Sequence, residues 1–350
     1  MKRLLFIYNP MAGKGMIRNT LSYILEEFSG NGYEVVVHPT TGEKDATRVV
    51  QECGDSFDMI VCSGGDGTLD EVVTGMQTGR LSRPLGYIPA GSTNDYASSL
   101  GIPMQMRRAA RAVMNGDIFA CDIGRMNDSY FVYVAAFGAF VNVSYDTPQD
   151  MKNMLGHMAY IVRGMQSLAS IKSHHMHYES RESSGTGEFM LGMITNSNSV
   201  GGFKGITGPD VTLNDGVFEV TLLRMPQIAA VELPAVLTAL VSGADNKNII
   251  TFKTSRLEIW FDEDVAWTKD GEFGGNHRHL VIENIAQALP IIIPQQSAMI
   301  EENNAQRELE LNDSLRSEGL KERPYEAQVK HKEFFCSKDH SIHICSKYET

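Results

Sequence analysis

Hydrophobic positions change their period partway along the chain. From residue 3 to about residue 125, short continuous apolar runs alternate with stretches whose apolar residues recur every three or four positions. Leu4-Leu5-Phe6-Ile7-Tyr8 is a buried-strand pattern, and Ile17, Leu21, Ile24, Leu25 and Phe28 then repeat at helical spacing. Glu34 to His38 predicts a second strand, and Asp45 to Cys53 a helix opened at Thr41 or at Glu43-Lys44-Asp45. Asp58-Met59-Ile60-Val61-Cys62 reads as a third strand, Leu69 to Met76 as a helix, and Pro84-Leu85-Gly86-Tyr87-Ile88-Pro89 as a fourth strand. Alternation of this kind specifies a parallel sheet with helices on both faces. Ligands of such sheets bind at the carboxyl ends of the strands.

Beyond about residue 127 the pattern becomes strands joined by turns. The strand-like runs are Tyr130 to Ala136, Phe189 to Thr195, Val217 to Leu223, Leu257 to Phe261 and Leu280 to Glu283. Asp150 to Ser173 interrupts them as a helix, with Leu155, Met158, Ala159, Val162 and Met165 on one side. Ile228 to Ala244 predicts a buried helix pair: it carries Glu232 and Pro234 and falls short of the ~20 apolar residues of a membrane span. Leu289-Pro290-Ile291-Ile292-Ile293 returns to the body of the protein. The expected fold class is therefore α/β plus β. An N-terminal three-layer α/β/α domain covers 1–125, with 289–294 returning to it, a larger and mainly antiparallel β domain covers 126–294, and a charged, flexible tail covers 297–350.

The 350 residues, with 42% hydrophobic and 8% aromatic content, suit a core-forming protein. The formal charge of -12 opposes general nucleic-acid binding and adsorption to anionic membranes, so any membrane contact is a local patch. Cys53, Cys62 and Cys121 lie in apolar surroundings and read as buried thiols. Cys336 and Cys345 lie near His331, His340 and His343, at a spacing that fits no standard zinc pattern. The odd cysteine count, and Met1-Lys2-Arg3 leading directly into a strand, point to a reducing cytosol without an export signal.

The chemistry gathers in the loops after the first, third and fourth strands. Ser63-Gly64-Gly65-Asp66-Gly67-Thr68 joins a strand to a helix through a glycine turn, an arrangement that presents backbone N–H groups and a helix N-terminus to an anion. Asp66 would repel that anion unless a cation or a hydrogen-bond network intervenes. Read by themselves, Gly-Gly-Asp-Gly is also ordinary turn chemistry. Asn9-Pro10-Met11-Ala12-Gly13-Lys14-Gly15 follows the first strand and is not a Walker A loop, because it lacks the Gly-Lys-Ser/Thr ending. Ala90-Gly91-Ser92-Thr93-Asn94-Asp95 follows the fourth.

Together with Cys121-Asp122-Ile123-Gly124, Asn214-Asp215-Gly216-Val217-Phe218 and Thr268-Lys269-Asp270-Gly271-Glu272, these loops resemble the diacylglycerol kinase catalytic family, which includes other bacterial lipid kinases and the sphingosine kinases. Order and spacing match over roughly residues 2–294. The resemblance implies an ATP site lined by Asn9, Gly13, Lys14, Gly15, Gly64, Gly65, Asp66, Gly67, Thr68, Thr93 and Asn94. It implies that Asp66, Asp95 and Asp122 form a water network holding Mg²⁺, and that Asp215, with the carbonyls of Thr212 and Val217, binds a second, structural Mg²⁺; hard oxygen ligands suit that ion. It makes Asp270 the general base and Glu272 its support. Plainer readings stand beside these: Asp95 as a helix N-cap, Asp122 as a strand-end turn acid, Asn214-Asp215-Gly216 as a hairpin turn, Asp270-Gly271 as a turn and Glu272 as a solvated acid. Lys152, Arg163 and Lys172 either touch anionic lipid or form a solvated basic face.

The expectation is a cytoplasmic, ATP- and Mg²⁺-dependent lipid kinase that visits the membrane reversibly and phosphorylates a lipid hydroxyl, foremost that of diacylglycerol, to give phosphatidate. The resemblance is compatible with a homodimer and involves no nucleic acid. Two alternatives are an NAD kinase, which shares the Gly-Gly-Asp-Gly turn and the two-domain layout, and a catalytically silent lipid- or nucleotide-binding regulator.

Overall fold

A computed structural model describes residues 1–138, 172–201, 203–204, 207 and 210–295. The first half contains β1 (Lys2–Tyr8), α1 (Leu21–Gly30), β2 (Tyr33–Pro39), α2 (Asp45–Cys53), β3 (Met59–Gly64), α3 (Asp66–Thr78), β4 (Leu85–Pro89), α4 (Asp95–Ser99) and α5 (Met106–Asn115). The four strands are parallel, in the order β2-β1-β3-β4. β3 and β4 are buried along their whole length, as a parallel sheet covered on both faces requires. β2 lies at the edge of this part, alternates in exposure and ends on Pro39, which an edge tolerates because it lacks an N–H donor.

The second half contains β5 (Asp117–Met126), β6 (Ser129–Phe131), β7 (Val134–Gly138), β8 (His174–Glu179), β9 (Ser184–Thr195), β10 (Ser199–Val200), β11 (Phe203–Lys204), β12 (Phe218–Arg224), α6 (Ala229–Ser242), β13 (Ile249–Thr254), β14 (Arg256–Lys269) and β15 (Glu272–Ile293). β7 and β8 each pair with both β9 and β14, so these four strands close on themselves. Phe137, Phe189, Phe261, Trp267 and Tyr178 belong to the core they form with their neighbours. The Phe137 ring lies 5.0 Å from both Phe261 and Trp267. β15 is the seam: it pairs antiparallel with β14 and β5 and parallel with β4.

The α/β-plus-β architecture expected from the apolar pattern is present. Several element boundaries differ, each for a local reason. The apolar runs at 257–261, 280–283 and 289–293 are segments of two long strands, β14 and β15. The run Tyr130 to Ala136 is broken at Val132 and Tyr133, whose N–H groups turn away from a ladder to a buried carboxylate described below. The strands 117–126, 174–179 and 249–254 carry too few consecutive apolar residues to stand out. Ile228 to Ala244 holds one helix rather than a pair; its buried residues Leu233, Val236, Leu237 and Leu240 follow helical spacing, and Gly243 stops it in the left-handed region at φ 69°. Cys53 is half-buried rather than buried. Among the described residues, no helix is long and apolar enough to cross a membrane. Most of the predicted helix 150–173, with Lys152 and Arg163, and the tail with Cys336 and Cys345 lie outside the described residues; Lys172 pairs with Glu263 at 2.8 Å.

Candidate active site

Three loops at the carboxyl ends of β1, β3 and β4 meet. A Cβ added at Gly13 would lie 2.5 Å from the Ala90 carbonyl oxygen, and one at Gly91 would lie 2.7 Å from Gly65 Cα. The backbones therefore approach as closely as glycine permits, and Gly13, at φ 56°, also needs the left-handed region. Gly65 is the N-cap of α3 and offers no side-chain cap, so the first N–H groups of this 13-residue helix remain for another acceptor. Gly64 lies where a Cβ would collide with Thr68 at 2.4 Å.

The sequence-predicted residues divide by what they already hold. Asn9 accepts from Met11 N–H through Oδ1 at 2.9 Å and shapes its own turn. Lys14 and Gly15 lie in a 3-10 turn over Ala12–Asn19; the Lys14 side chain lies outside what is described. Thr93 is exposed. Asn94 is buried: its amide clasps Gly91 N–H and C=O at 2.9 Å each, and Tyr87 donates to it at 3.4 Å. Asn94, at φ 52°, is also the N-cap position of α4, so Asp95 is its first residue rather than its cap.

Asp66 and Asp95 face one another. Asp95 N–H donates to Asp66 Oδ2 at 3.3 Å, and Asp66 Oδ1 is buried without a donor. Burial, then the Asp95 charge, push Asp66 up to about 6. Asp95 is held from outside the α/β half, by Ser199 Oγ at 2.6 Å and Gly201 N–H at 2.7 Å. Asp122 takes its donors from a different place. Its carboxylate accepts from Gly216 N–H and Gln287 N–H at 2.7 Å each and from Asn284 Nδ2 at 3.3 Å. It thereby clasps the 213–217 loop to the register shift of β15 between Ile285 and Leu289.

Asn214-Asp215-Gly216 precedes β12 but follows no strand, so it is not a hairpin turn. Lys253 Nζ lies 3.7 Å from Asp215 Oδ2 and 3.1 Å from buried Glu219, and donates to the Asp210 carbonyl at 2.5 Å. A cation of the chain's own thus lies beside Asp215 and Glu219.

Asp270 and Gly271 form the two-residue turn between β14 and β15. Their φ values of 50° and 85° are those a type I′ hairpin demands at both positions. The turn is tucked inward: Asp270 is 4% exposed. Its carboxylate receives N–H groups from Val132 (2.6 Å), Tyr133 (2.9 Å) and Val134 (3.1 Å). Burial and the facing Asp70 carboxylate push Asp270 upward against those donors. Glu272 is exposed as a residue, yet its carboxylate rests against Gly67: a Cβ there would lie on Glu272 Oε1. The hairpin of the β half therefore meets the glycine turn of the α/β half. Burial first, then Asp70, raise Glu272.

Asp70 and Lys269 complete the site, and the motif reading gave them no role. Asp70 lies four residues after Asp66 on α3, flanked by buried Leu69, Val72 and Val73. An acid one helical turn from a candidate site acid, among core residues, is the signal that could have marked it. Lys269 Nζ sits 3.0 Å from Asp70 Oδ2 and 3.0 Å from the Tyr130 carbonyl oxygen. Their separation of 199 residues in sequence hides the pairing. Ser199, Gly201, Asn284 and Gln287 were equally invisible as partners of the acids.

Comparison with known proteins adds the relationships. The family described as "Diacylglycerol kinase catalytic domain" matches residues 3–126. The chain is 36% identical over 300 residues to a diacylglycerol kinase of Bacillus subtilis (strain 168), covering 85% of this chain and 98% of that one. It is 32% identical over 297 residues to a diacylglycerol kinase of Staphylococcus epidermidis, covering 84% and 93%. A crystal structure of a diacylglycerol kinase from Bacillus anthracis str. Sterne shares the fold with a TM-score of 0.66 at 20% identity, covering 85% of this chain and 98% of that chain.

Proposed function

The chain belongs to the diacylglycerol kinase family and is a lipid kinase, and we propose that it transfers the γ-phosphoryl group of ATP to the hydroxyl of diacylglycerol in a Mg²⁺-dependent reaction, giving phosphatidate. One observation carries this reading: the buried Asp270 hairpin, with Glu272, sits directly against the uncapped helix turn at Gly67. A proton acceptor and a phosphate cradle are thereby adjacent, which phosphoryl transfer to an alcohol needs.

In this reading residues 1–125, with 289–294, form the nucleotide domain and 126–294 the lipid domain. N–H groups at Gly67 and Thr68 receive the phosphates, and the Gly13–Ala90 and Gly65–Gly91 approaches hold the three loops together beside them. Asp66, with a buried oxygen lacking a donor, and Asp95 beside it suit a hydrated hard cation. Bound there, Mg²⁺ supplies charge neutralisation for the phosphoryl oxygens. Asp122 acts as the clasp that fixes the loops around the cleft. The lipid oxygen attacks phosphorus as its proton passes to Asp270; the bond to the bridging oxygen breaks and ADP leaves. A transient contact with the membrane surface delivers the lipid.

The test is transfer of labelled γ-phosphate from ATP to a panel of detergent-dispersed lipids, with and without Mg²⁺. Labelled phosphatidate formed only with Mg²⁺ is the expected product. Labelling of NAD instead, or tight lipid binding with no transfer, would replace the proposal by one of its alternatives.

A further inference from the structure

Lys269 and Asp270, adjacent at the end of β14, grip one short segment. Lys269 Nζ donates to the Tyr130 carbonyl oxygen at 3.0 Å. Asp270 receives the N–H groups of Val132, Tyr133 and Val134 and returns its own N–H to the Val134 carbonyl at 2.9 Å. Consecutive hairpin residues thus hold consecutive parts of 130–134, and the Lys269 ammonium and the Asp270 carboxylate belong to one rigid piece of the β half.

An ion pair ties that piece to α3. Lys269 Nζ also lies 3.0 Å from Asp70 Oδ2. Asp70 is buried and the Lys269 side chain is 17% exposed, so little water or salt reaches the pair to screen it. Asp70 follows Gly67 by three residues on the same helix, about 4.5 Å along its axis. The helix that offers its first N–H groups to phosphate therefore holds the hairpin by a carboxylate one turn later. From those N–H groups to Asp270, the connection runs through one helical turn, one buried ion pair and two adjacent residues of a tight turn.

Resting on the phosphoryl-transfer reading above, we infer that Asp70 and Lys269 are positioning residues: their ion pair is the latch that sets Asp270 at a fixed distance from the phosphate cradle at the start of α3. Lys269 acts through the base on the next residue, and Asp70 acts through the cradle one turn before it. Breaking the pair lets the hairpin shift against the helix, and a misplacement of about 1 Å costs about a hundredfold in rate.

The experiment joins steady-state kinetics with diacylglycerol in mixed micelles to amide hydrogen exchange of the full chain, for the wild type, Asp70→Asn, Lys269→Met and the double variant, each well below its melting temperature. In each single variant kcat should fall about tenfold to a hundredfold, while KM for ATP stays within about twofold because the cradle is intact. The double variant should lose no more than the worse single, since one latch is broken only once. It also lacks the stranded buried charge that could unfold a single variant. The Val132, Tyr133 and Val134 amides should exchange faster in every variant than in the wild type. Wild-type kcat in the double variant overturns the inference, because the single losses would then come from a stranded charge. Losses that multiply in the double variant overturn it too, because the residues would then act separately, as do amides that keep their wild-type protection. A wild type that labels no lipid removes the phosphoryl-transfer reading instead. Exchange then judges the latch by itself: faster exchange at 132–134 keeps it, and unchanged exchange removes it.

Discussion

The carboxylate of Glu272 rests in the space that any side chain at Gly67 would occupy. A glycine that begins a helix in the α/β half is therefore matched to an acid that begins a strand in the β half. The positions are separated by most of the described chain, and their contact places the hairpin acids over the helix N-terminus. The glycine is needed for what lies against it, and it is absent from the left-handed positions of the chain.

Gly67→Ala should displace Glu272 and with it the hairpin. Turnover is expected to fall roughly tenfold to a hundredfold, the scale on which small misplacements act. Thermal stability should hold, because alanine in a helix gains up to about 1 kcal/mol over glycine. A turnover assay beside a melting curve checks this. Wild-type turnover would mean that Glu272 has no positional role.

Asp270→Asn should lower phosphoryl transfer by about 10² to 10⁴, the usual contribution of a positioned base, while ATP affinity stays near that of the wild type. Calorimetric titration with a non-hydrolysable ATP analogue separates the two. A parallel loss of ATP binding would relocate Asp270 to the nucleotide site.

Asp66 is pushed up to about 6, chiefly by burial. Below that value it carries a proton, and a metal ligand must be deprotonated, so protons compete with Mg²⁺. Metal-dependent nucleotide binding should weaken as pH falls through about 6 and be steady well above it. Asp66→Asn should abolish the metal dependence together with its pH dependence. Titrations at several pH values decide, and a flat profile in the wild type would exclude Asp66 as a ligand.

Lys253→Met leaves Glu219 and Asp215 without their cation. Lys253 is itself partly solvated, so the cost should be modest, about 1 kcal/mol at alkaline pH. Glu219 is already raised, foremost by burial, and rises further without the ammonium. Its folded value then exceeds its unfolded one, so the penalty exists above the folded value and fades as pH falls through it. Denaturant melts at pH 8 and pH 5 should show the deficit shrinking. Millimolar Mg²⁺ should restore stability to the variant more than it stabilises the wild type.

Much of the α/β half was legible because its strands are buried on both faces and announce themselves as apolar runs. The loops after β1, β3 and β4 followed from their glycines. The β half was harder to read, since β5, β8 and β13 have exposed faces and dilute the apolar signal. The break at Val132 and Tyr133 could not be seen, because it is imposed by Asp270 from the other side of the sequence. The acids were all found by motif except Asp70. What each acid binds was not found, since Ser199, Gly201, Asn284 and Gln287 reach them only through tertiary folding. The Asp215 motif read as a hairpin or an ion site, and Lys253 from β13 alters that picture with a charge no local pattern contains.

β15 has a consequence for how this enzyme comes into being. It is the last described strand, and it pairs with β14, β5 and β4. A ribosome completes the glycine loops, the helix turn at Gly67 and the Asp66–Asp95 pair long before it delivers this strand. Until then β4 has β3 as its one neighbour, Asp122 lacks Asn284 and Gln287, and the Asp270 turn has only one of its two arms. An unfinished chain therefore holds the glycine loops and the helix turn at Gly67 with no acid closed over them until β15 has been made.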